Sequence, residues 1–179
     1  MEINGIAHTF VTVGDFDRSR AFYSRLLPFL GMKNVMDIPG TYYCVGGRTG
    51  FAIREAPEEN RGERFDQNRI GLHHICFRAR TREDVDEAHD FVKDLGAGII
   101  HGPEEAMWAP GYYSILFEDP DGIRLEINFV PGKGLLSSGV SGSDGVSGSD
   151  GVSASASASA GVSDSADASG SVRDPTWSS

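Results

Sequence analysis

Two stretches of this chain decide its fold because they repeat each other: Gly5-Ile6-Ala7-His8-Thr9-Phe10-Val11-Thr12-Val13 and Gly71-Leu72-His73-His74-Ile75-Cys76-Phe77-Arg78-Ala79. The two runs match in character position by position, and His8 falls on His74. Each run has the composition of a strand and is followed at once by the signals of a helix. The repeat predicts that the chain contains two copies of one structural unit.

Each repeat continues into one helix and three further strands. The first helix begins after Asp15 or Asp17 as its cap and ends at Gly31, with irregular last turns at Pro28. The second helix opens near Thr81 and ends at Gly96. Turn residues and apolar runs then predict six strands: Asn34–Ile38, Thr41–Val45, Gly50–Glu55, Gly98–His101, Tyr112–Phe117 and Ile123–Val130.

The order strand, helix, strand, strand, strand predicts an α+β fold with two βαβββ modules, at about residues 3–56 and 70–131. Two modules placed edge to edge would form a curved, eight-stranded mixed sheet with its helices outside and a cleft inside. The folded domain is predicted at residues 1–132 and a low-complexity tail at 133–179. From Ser137 onward the tail is nearly all Ser, Gly, Ala, Val and Asp, which predicts disorder.

The formal net charge of −10, of which −4 comes from residues 137–179, excludes a basic surface for nucleic acid or anionic membrane. No stretch approaches the roughly 18 apolar residues that suggest a membrane span, and the N-terminus does not resemble a signal peptide. We therefore expect a cytoplasmic protein. Cys44 and Cys76 lie in apolar runs, where small buried side chains are expected rather than a disulfide.

Strand alternation places His8, His74 and Glu126 on three separate strands, all facing the predicted cleft. Two neutral imidazoles and one carboxylate suit a single divalent metal ion, and Fe, Ni, Zn and Mn all accept such ligands. Open positions on the metal would then accept substrate or water. His73 could replace His74 as a ligand, although both the alternation and the repeat favour His74.

The same face carries five candidate substrate-binding residues, three of which are cationic: Arg54, Arg78, Arg124, Phe10 and Asn128. Guanidinium groups bind carboxylate or phosphate through paired hydrogen bonds, so the three arginines predict an anionic substrate. The alternative is that these arginines lie at strand ends, reach solvent, or pair with Glu55 and Glu118.

The runs IAHTFVTVGDFDRSRAFYSRLL, LHHICFRA and FEDPDGIRLEI resemble the repeated signature of the vicinal oxygen chelate superfamily, which contains glyoxalases, bleomycin-resistance proteins and extradiol dioxygenases. The resemblance covers about residues 3–132, and its most specific local mark is DPDG with a Glu four residues after its Gly. The resemblance implies paired βαβββ modules and puts His8, His74 and Glu126 on the ligand positions of the family.

The sequence also departs from the family's patterns. Glyoxalases and epimerases add a fourth ligand from the last strand of the first module, and aligning the glycines puts Arg54 at that position. Glu55 is adjacent but has the opposite parity, so only a bulge would bring it in. Extradiol dioxygenases carry a Tyr where this chain has Leu116, with Tyr112 and Tyr113 nearby but offset. The candidate catalytic residues are therefore Arg54, Glu55 and Tyr113.

These features favour a divalent-metal-dependent lyase, isomerase or dioxygenase that acts on a small substrate with two chelating oxygens. The alternative is a small-molecule binding protein of the bleomycin-resistance type, which would use the same cleft without catalysis. Metal content separates these two hypotheses. The expected partners are a small-molecule substrate and, where the modules swap between chains, a second copy in a homodimer.

Overall fold

A computed structural model describes residues 1–3 and 5–132. The tail predicted at residues 133–179 therefore lies outside the described residues. The first module runs in the order β1 (His8–Val13), α1 (Phe16–Phe29), β2 (Lys33–Ile38), β3 (Thr41–Gly46) and β4 (Thr49–Glu55). After a short 3-10 helix (Glu58–Asn60) comes the second module: β5 (Ile75–Arg78), α2 (Arg82–Asp94), β6 (Gly98–Ala106), β7 (Tyr112–Glu118) and β8 (Arg124–Phe129).

Local hydrogen bonds explain where the two helices begin and end. The Asp15 carboxylate accepts the backbone N–H of Arg18 at the start of α1. Thr81 and Asp84 form a reciprocal capping box at the start of α2. Gly96 follows α2 with a φ of +82°, a conformation that costs glycine little. Within the described range, neither helix is long and apolar enough to cross a membrane.

The strands form two separate four-stranded sheets, in the orders β1-β4-β3-β2 and β5-β8-β7-β6. In each sheet the first and last strands of the module run parallel, and the remaining neighbours are antiparallel. The predicted α+β fold of two βαβββ modules is confirmed. Among the described residues no hydrogen-bonded strand pair joins the two sheets. A continuous eight-stranded sheet therefore stays a prediction.

The predicted alternation matches burial in β1 and β5, whereas in β8 the predicted cleft-facing Glu126 and Asn128 are buried as well. Val11 and Val13 of β1 are buried, whereas His8 and Phe10 on the opposite face are exposed. The helix-facing sides of both modules contribute to one hydrophobic core. The ring centroids of Phe29 in α1 and Phe91 in α2 lie 3.9 Å apart, stacked at an angle of 4°. The two modules therefore pack through their helix-facing sides and leave the predicted cleft faces of β1 and β5 toward solvent.

Hydrogen bonds between the turn that joins β7 to β8 and the start of α1 lock the two modules together. The carboxylate of Asp121 accepts hydrogen bonds from the Gly14 backbone N–H at 3.2 Å, the Ser19 hydroxyl at 2.9 Å and the Arg18 guanidinium at 2.8 Å. The neighbouring Asp119 accepts the hydroxyl of Tyr23 at 2.7 Å. Because these bonds cross from one module to the other, the DPDG turn fixes the orientation of the modules.

Candidate metal centre

The second module brings two of the three predicted metal ligands together. His74 lies just before β5 and Glu126 lies on β8, the parallel neighbour of β5. The Nε2 atom of His74 is 3.0 Å from the Oε2 atom of Glu126. The Nδ1 atom of His74 lies 2.7 Å from Nδ1 of His73, so a neighbouring ring occupies its other nitrogen. Of the two adjacent histidines, it is therefore His74 whose Nε2 faces the carboxylate.

Hydrogen bonds hold the Glu126 carboxylate in its ionised form. Burial, which leaves only 7% of the residue exposed, raises the pKa of this carboxyl group. Hydrogen bonds from His74, Tyr112 and Ser114 outweigh that effect, so the net pKa is lower than usual. The Tyr112 hydroxyl donates to Oε1 of Glu126 at 2.5 Å, and Asn128 in turn hydrogen-bonds Tyr112. Oε2 is left to face His74.

The donor set of this module fits part of a divalent-metal site. An imidazole nitrogen and an ionised carboxylate oxygen are ligands that Fe, Ni, Zn and Mn accept. The additional bonds from Tyr112 and His73 are of the kind that orients metal ligands. In the part of the chain that the structure describes, no three His, Cys, Asp or Glu side chains gather closely enough to hold an ion. Among the described residues, His74 and Glu126 are therefore a pair of potential ligands rather than a complete set.

His8, the third predicted ligand, lies on the sheet of the first module. It is exposed at the start of β1, and its ring meets the edge of the Phe10 ring with the centroids 5.4 Å apart. Its Cα partner across the sheet is Gly50 of β4. The structure thus places His8 on the expected face, but apart from the pair of His74 and Glu126.

The three predicted arginines differ in their surroundings. Arg124 lies 3.7 Å from Glu118, as the alternative interpretation of these side chains expected. Arg54 and Arg78 are exposed and, within residues 1–3 and 5–132, have no ion-pair partner. Arg78 lies near the thiol of Cys76; this residue is exposed, but protein atoms around the sulfur and the nearby Glu126 carboxylate raise the pKa of the thiol. Two of the three cations thus remain available to an anionic ligand.

Two candidate catalytic residues have structural partners. Glu55 forms an ion pair with Arg61 at 3.0 Å, and β4 is paired on both sides without a bulge that would turn Glu55 toward the cleft face. Tyr113 donates its hydroxyl to Asp86 of α2 at 2.7 Å. The side chain that reaches Glu126 is instead Tyr112, which the sequence analysis did not select. Strand alternation contained the signal, because Tyr112 lies an even number of residues from Leu116, the partner of Glu126.

The strand register also corrects the alignment of the two modules. Phe10 pairs with Ala52 in the first module, and Cys76, at the equivalent position, pairs with Glu126 in the second. Ala52, rather than Arg54, is therefore the counterpart of Glu126. The glycine alignment was misleading because the hairpin before β4 is shorter than the turn before β8. Arg54 lies one same-face position further along β4, next to Thr12.

Both cysteines are free thiols, as expected, but only one of them is buried. Cys44 lies in the core, whereas Cys76 is exposed on the face that carries Glu126. The expectation of a buried Cys76 was wrong because β5 presents this face to solvent within a single chain.

The paired βαβββ modules are the fold of one known class of proteins. The sequence profile of the Glyoxalase/Bleomycin resistance protein/Dioxygenase superfamily matches residues 5–127, and the chain belongs to that superfamily.

Its relatives include proteins with named activities. The chain is 29% identical to the metallothiol transferase FosB from Shouchella clausii over 126 residues, which are 70% of this chain and 80% of FosB. The crystal structure of lactoylglutathione lyase from Agrobacterium tumefaciens matches with 25% identity and a TM-score of 0.54, over 72% of this chain and 96% of the lyase. A glyoxylase/bleomycin resistance protein/dioxygenase domain from Frankia has the same fold at 24% identity, with a TM-score of 0.57 over 72% of this chain and 98% of the domain.

Proposed function

We propose that this protein is a divalent-metal-dependent enzyme that acts on a small anionic substrate, with the metal held by His74 and Glu126 of one chain and His8 of a second copy. The observation that carries the proposal is the hydrogen-bonded set of His74, Glu126 and Tyr112, in which an ionised, buried carboxylate faces an imidazole nitrogen. A surface ion pair would not need a carboxylate that is 7% exposed and held from three sides.

The need for a second copy follows from the edges of the two sheets. β1 and β5 are both edge strands, and within the described residues neither pairs with a strand of the other module. Pairing β1 of one copy with β5 of another would cover two open edges and would extend each four-stranded sheet to eight strands. A twofold axis would then give two equivalent sites, each with His8 from one copy and the half-site from the other.

The chemistry would be Lewis-acid catalysis at a substrate oxygen, since a bound divalent ion polarises such an oxygen and stabilises negative charge on it. The Glu126 carboxylate neutralises part of the positive charge, and Tyr112 holds its second oxygen. Arg54 and Arg78, which have no ion-pair partner among the described residues, would provide cations for an anionic substrate. The similarity to a metallothiol transferase and a lactoylglutathione lyase favours group transfer, lyase or isomerase chemistry, and a dioxygenase would use the same three ligands with iron.

Mixing two inactive variants tests the shared site directly. His8→Ala and His74→Ala should each lose metal binding, because each removes one ligand from every site. When the two variants are mixed 1:1 under conditions that allow exchange of copies, a hybrid dimer contains one intact site. Metal content should recover to roughly a quarter of the wild-type value, since half of the dimers are hybrids with one good site of two.

The control is a mixture of His74→Ala with Glu126→Ala, which remove ligands from the same half-site and should restore no metal. A site built within one chain would give no recovery in either mixture, and a monomer at working concentrations would contradict the shared site. A wild-type protein that takes up no Fe, Ni, Zn or Mn would favour the sequestering alternative.

We also propose that the protein acts in the cytoplasm.

A further inference from the structure

A pair of stacked rings, one exposed and one half-buried, lies beside His8 on the sheet of the first module. Phe10 is 52% exposed, and its ring stacks on the ring of Tyr43 with centroids 5.8 Å apart and an angle of 26°. The edge contact with His8 connects this pair to the proposed metal ligand. We name Phe10 and Tyr43 the aromatic shelf. Its exposed ring surface is available to a ligand bound next to His8.

The backbone under the aromatic shelf leaves room for one ring to lie flat. Ala52, the Cα partner of both Phe10 and Tyr43, is fully buried beneath them. A Cβ added to Gly50 would lie 2.2 Å from the hydroxyl oxygen of Tyr43 and 2.5 Å from a carbon of its ring. Any side chain at Gly50 would therefore displace Tyr43. Because Gly50 is also the Cα partner of His8, the Tyr43 hydroxyl extends along the sheet toward the row that carries this ligand.

The face of the first sheet that carries His8 and Phe10 also carries a cation, Arg54, further along β4. Successive rows of the sheet pair His8 with Gly50, Phe10 with Ala52, and then Thr12 with Arg54. Residues two apart along a strand are separated by about 7 Å, so the candidate ligand, the ring and the cation follow one another at that spacing. Arg54 is exposed and, among the described residues, has no ion-pair partner. A molecule lying along this face would meet a metal ligand, an aromatic surface and a positive charge in that order.

We infer that the substrate carries a planar, aromatic or conjugated group that stacks on the aromatic shelf, with metal-binding oxygens at the His8 end and negative charge toward Arg54. This inference rests on the proposed function and specifies its substrate class. A ring face is favoured over a flexible chain because the exposed Phe10 ring, packed against the half-buried Tyr43 ring, offers a flat face that offset stacking complements. Direct packing of a second copy onto the shelf is disfavoured, since the equivalent face of the second module also carries an unpaired arginine, Arg78.

The test compares two probes that have the same 2-oxo acid group and similar apolar area: phenylglyoxylate, whose ring is planar, and cyclohexylglyoxylate, whose ring is not. Calorimetry would measure the affinity of both for Mn²⁺-loaded and metal-free protein. We expect wild type to prefer the planar probe by about 3- to 10-fold, as stacked aromatic pairs do beyond their buried area. Phe10→Leu and Tyr43→Leu should abolish this preference, because they keep apolar surface and remove a ring.

Tyr43→Phe is the matched control, since it keeps the ring and should keep the preference. Trp108→Leu, which removes an exposed aromatic ring from the loop between β6 and β7, should also leave the preference unchanged. Equal affinities in wild type, no binding of either probe, or a preference that survives both leucine substitutions would overturn the inference. Conversion of either leucine variant to monomers would also overturn it, because the shelf would then be a contact between copies.

Measuring the metal content of the same samples distinguishes a failure of the substrate inference from a failure of the proposed function. If the protein binds metal normally but shows no preference for the planar probe, only the inferred substrate class is refuted. Protein that binds no metal would refute the proposed function, and the ring preference of the metal-free form would still decide the inference about the aromatic shelf.

Discussion

The equivalent rows of the two sheets carry opposite chemistry. In the second module the row of β5, β8 and β7 reads Cys76, Glu126 and Leu116, and its centre is a buried, hydrogen-bonded carboxylate. In the first module the corresponding row of β1, β4 and β3 reads Phe10, Ala52 and Tyr43, with two rings over a methyl group. One repeat unit thus carries the polar, hydrogen-bonded side chains that we propose as a metal half-site, and the other carries an apolar surface beside His8.

This difference indicates how two copies of one structural unit can take different roles in the proposed site, metal binding in the second module and substrate contact in the first. The half-site needs buried polar groups whose hydrogen bonds are all satisfied, because an unpaired buried carboxylate would be costly. The ring surface needs space, which Ala52 and Gly50 provide. His8 and His74 keep the same residue type at the same position in both modules. The four predictions that follow test this division, from the largest expected effect to the smallest.

Removing the charge of Glu126 should have the largest effect on metal binding. Glu126→Gln keeps the shape of the side chain but loses the ionised ligand, so the affinity for Zn²⁺ or Mn²⁺ should fall by more than roughly 100-fold, since changing an outer group alone costs 10–100-fold. Glu105→Gln, at an exposed carboxylate of β6, is the control. Calorimetric titration with each metal would measure both. Unchanged affinity in Glu126→Gln would place the metal elsewhere.

Breaking the lock between the modules should cost about 3 kcal/mol of unfolding free energy. Asp121→Ala leaves the Gly14 N–H and the Ser19 hydroxyl without their charged acceptor, and hydrogen bonds to charged groups contribute about 1.5–3 kcal/mol each before solvent screening of the half-exposed Arg18. Urea unfolding would measure the loss. A destabilisation below about 0.5 kcal/mol, as is usual for surface positions, would show that the turn does not lock the modules.

The pKa of Asp119 predicts a pH dependence of the same lock. Burial raises the pKa of this carboxyl from 3.8 to about 6. Because the folded pKa is above the unfolded value, the stabilising contribution is complete below about pH 4 and is lost as pH rises through about 6. The loss amounts to about 2–3 kcal/mol for a shift of about two units. In Asp119→Asn this part of the pH dependence should vanish, which unfolding curves between pH 4 and 7 would show; parallel curves for wild type and variant would contradict it.

The hydroxyl of Tyr112 should matter for metal binding, whereas that of its neighbour should not. Tyr112→Phe frees Oε1 of Glu126, and loss of such an orienting bond costs about 10–100-fold in metal affinity. Tyr113→Phe is the matched control, because the Tyr113 hydroxyl donates to Asp86 of α2. Equal metal affinities in the two variants would show that Tyr112 does not position Glu126.

Much of the fold could be read from local patterns. Caps at Asp15 and Thr81 and the turn at DPDG marked the elements to within a few residues, because these signals act over short distances along the chain. The longest departure is β6, which extends beyond the predicted Gly98–His101 to Ala106, since two irregularities in its pairing with β7 let a Gly- and Pro-containing stretch continue as strand.

The sequence predicted the candidate site less completely than it predicted the fold. Alternation assigned His8, His74 and Glu126 to one predicted face and, counted from Leu116, assigned Tyr112 to the same side of its strand. It did not show that the Tyr112 hydroxyl reaches Glu126 while the Tyr113 hydroxyl reaches α2, because these contacts depend on the packing of neighbouring elements. Nor could it identify Ala52 as the counterpart of Glu126, because the register of each hairpin depends on the length of its turn.

By itself, the sequence determined two βαβββ modules and the face assigned to the residues of the main strands, because periodicity, capping and turn chemistry are local properties. Its quoted motifs also resembled one superfamily, which the family match confirmed. Only the tertiary structure decided that the modules pack through their helix-facing sides, joined by Asp121 at the start of α1, and that His74 and Glu126 meet while His8 lies on the other sheet. The physical reason is that strand alternation selects a face, whereas the partner of that face is selected by packing between residues distant in sequence.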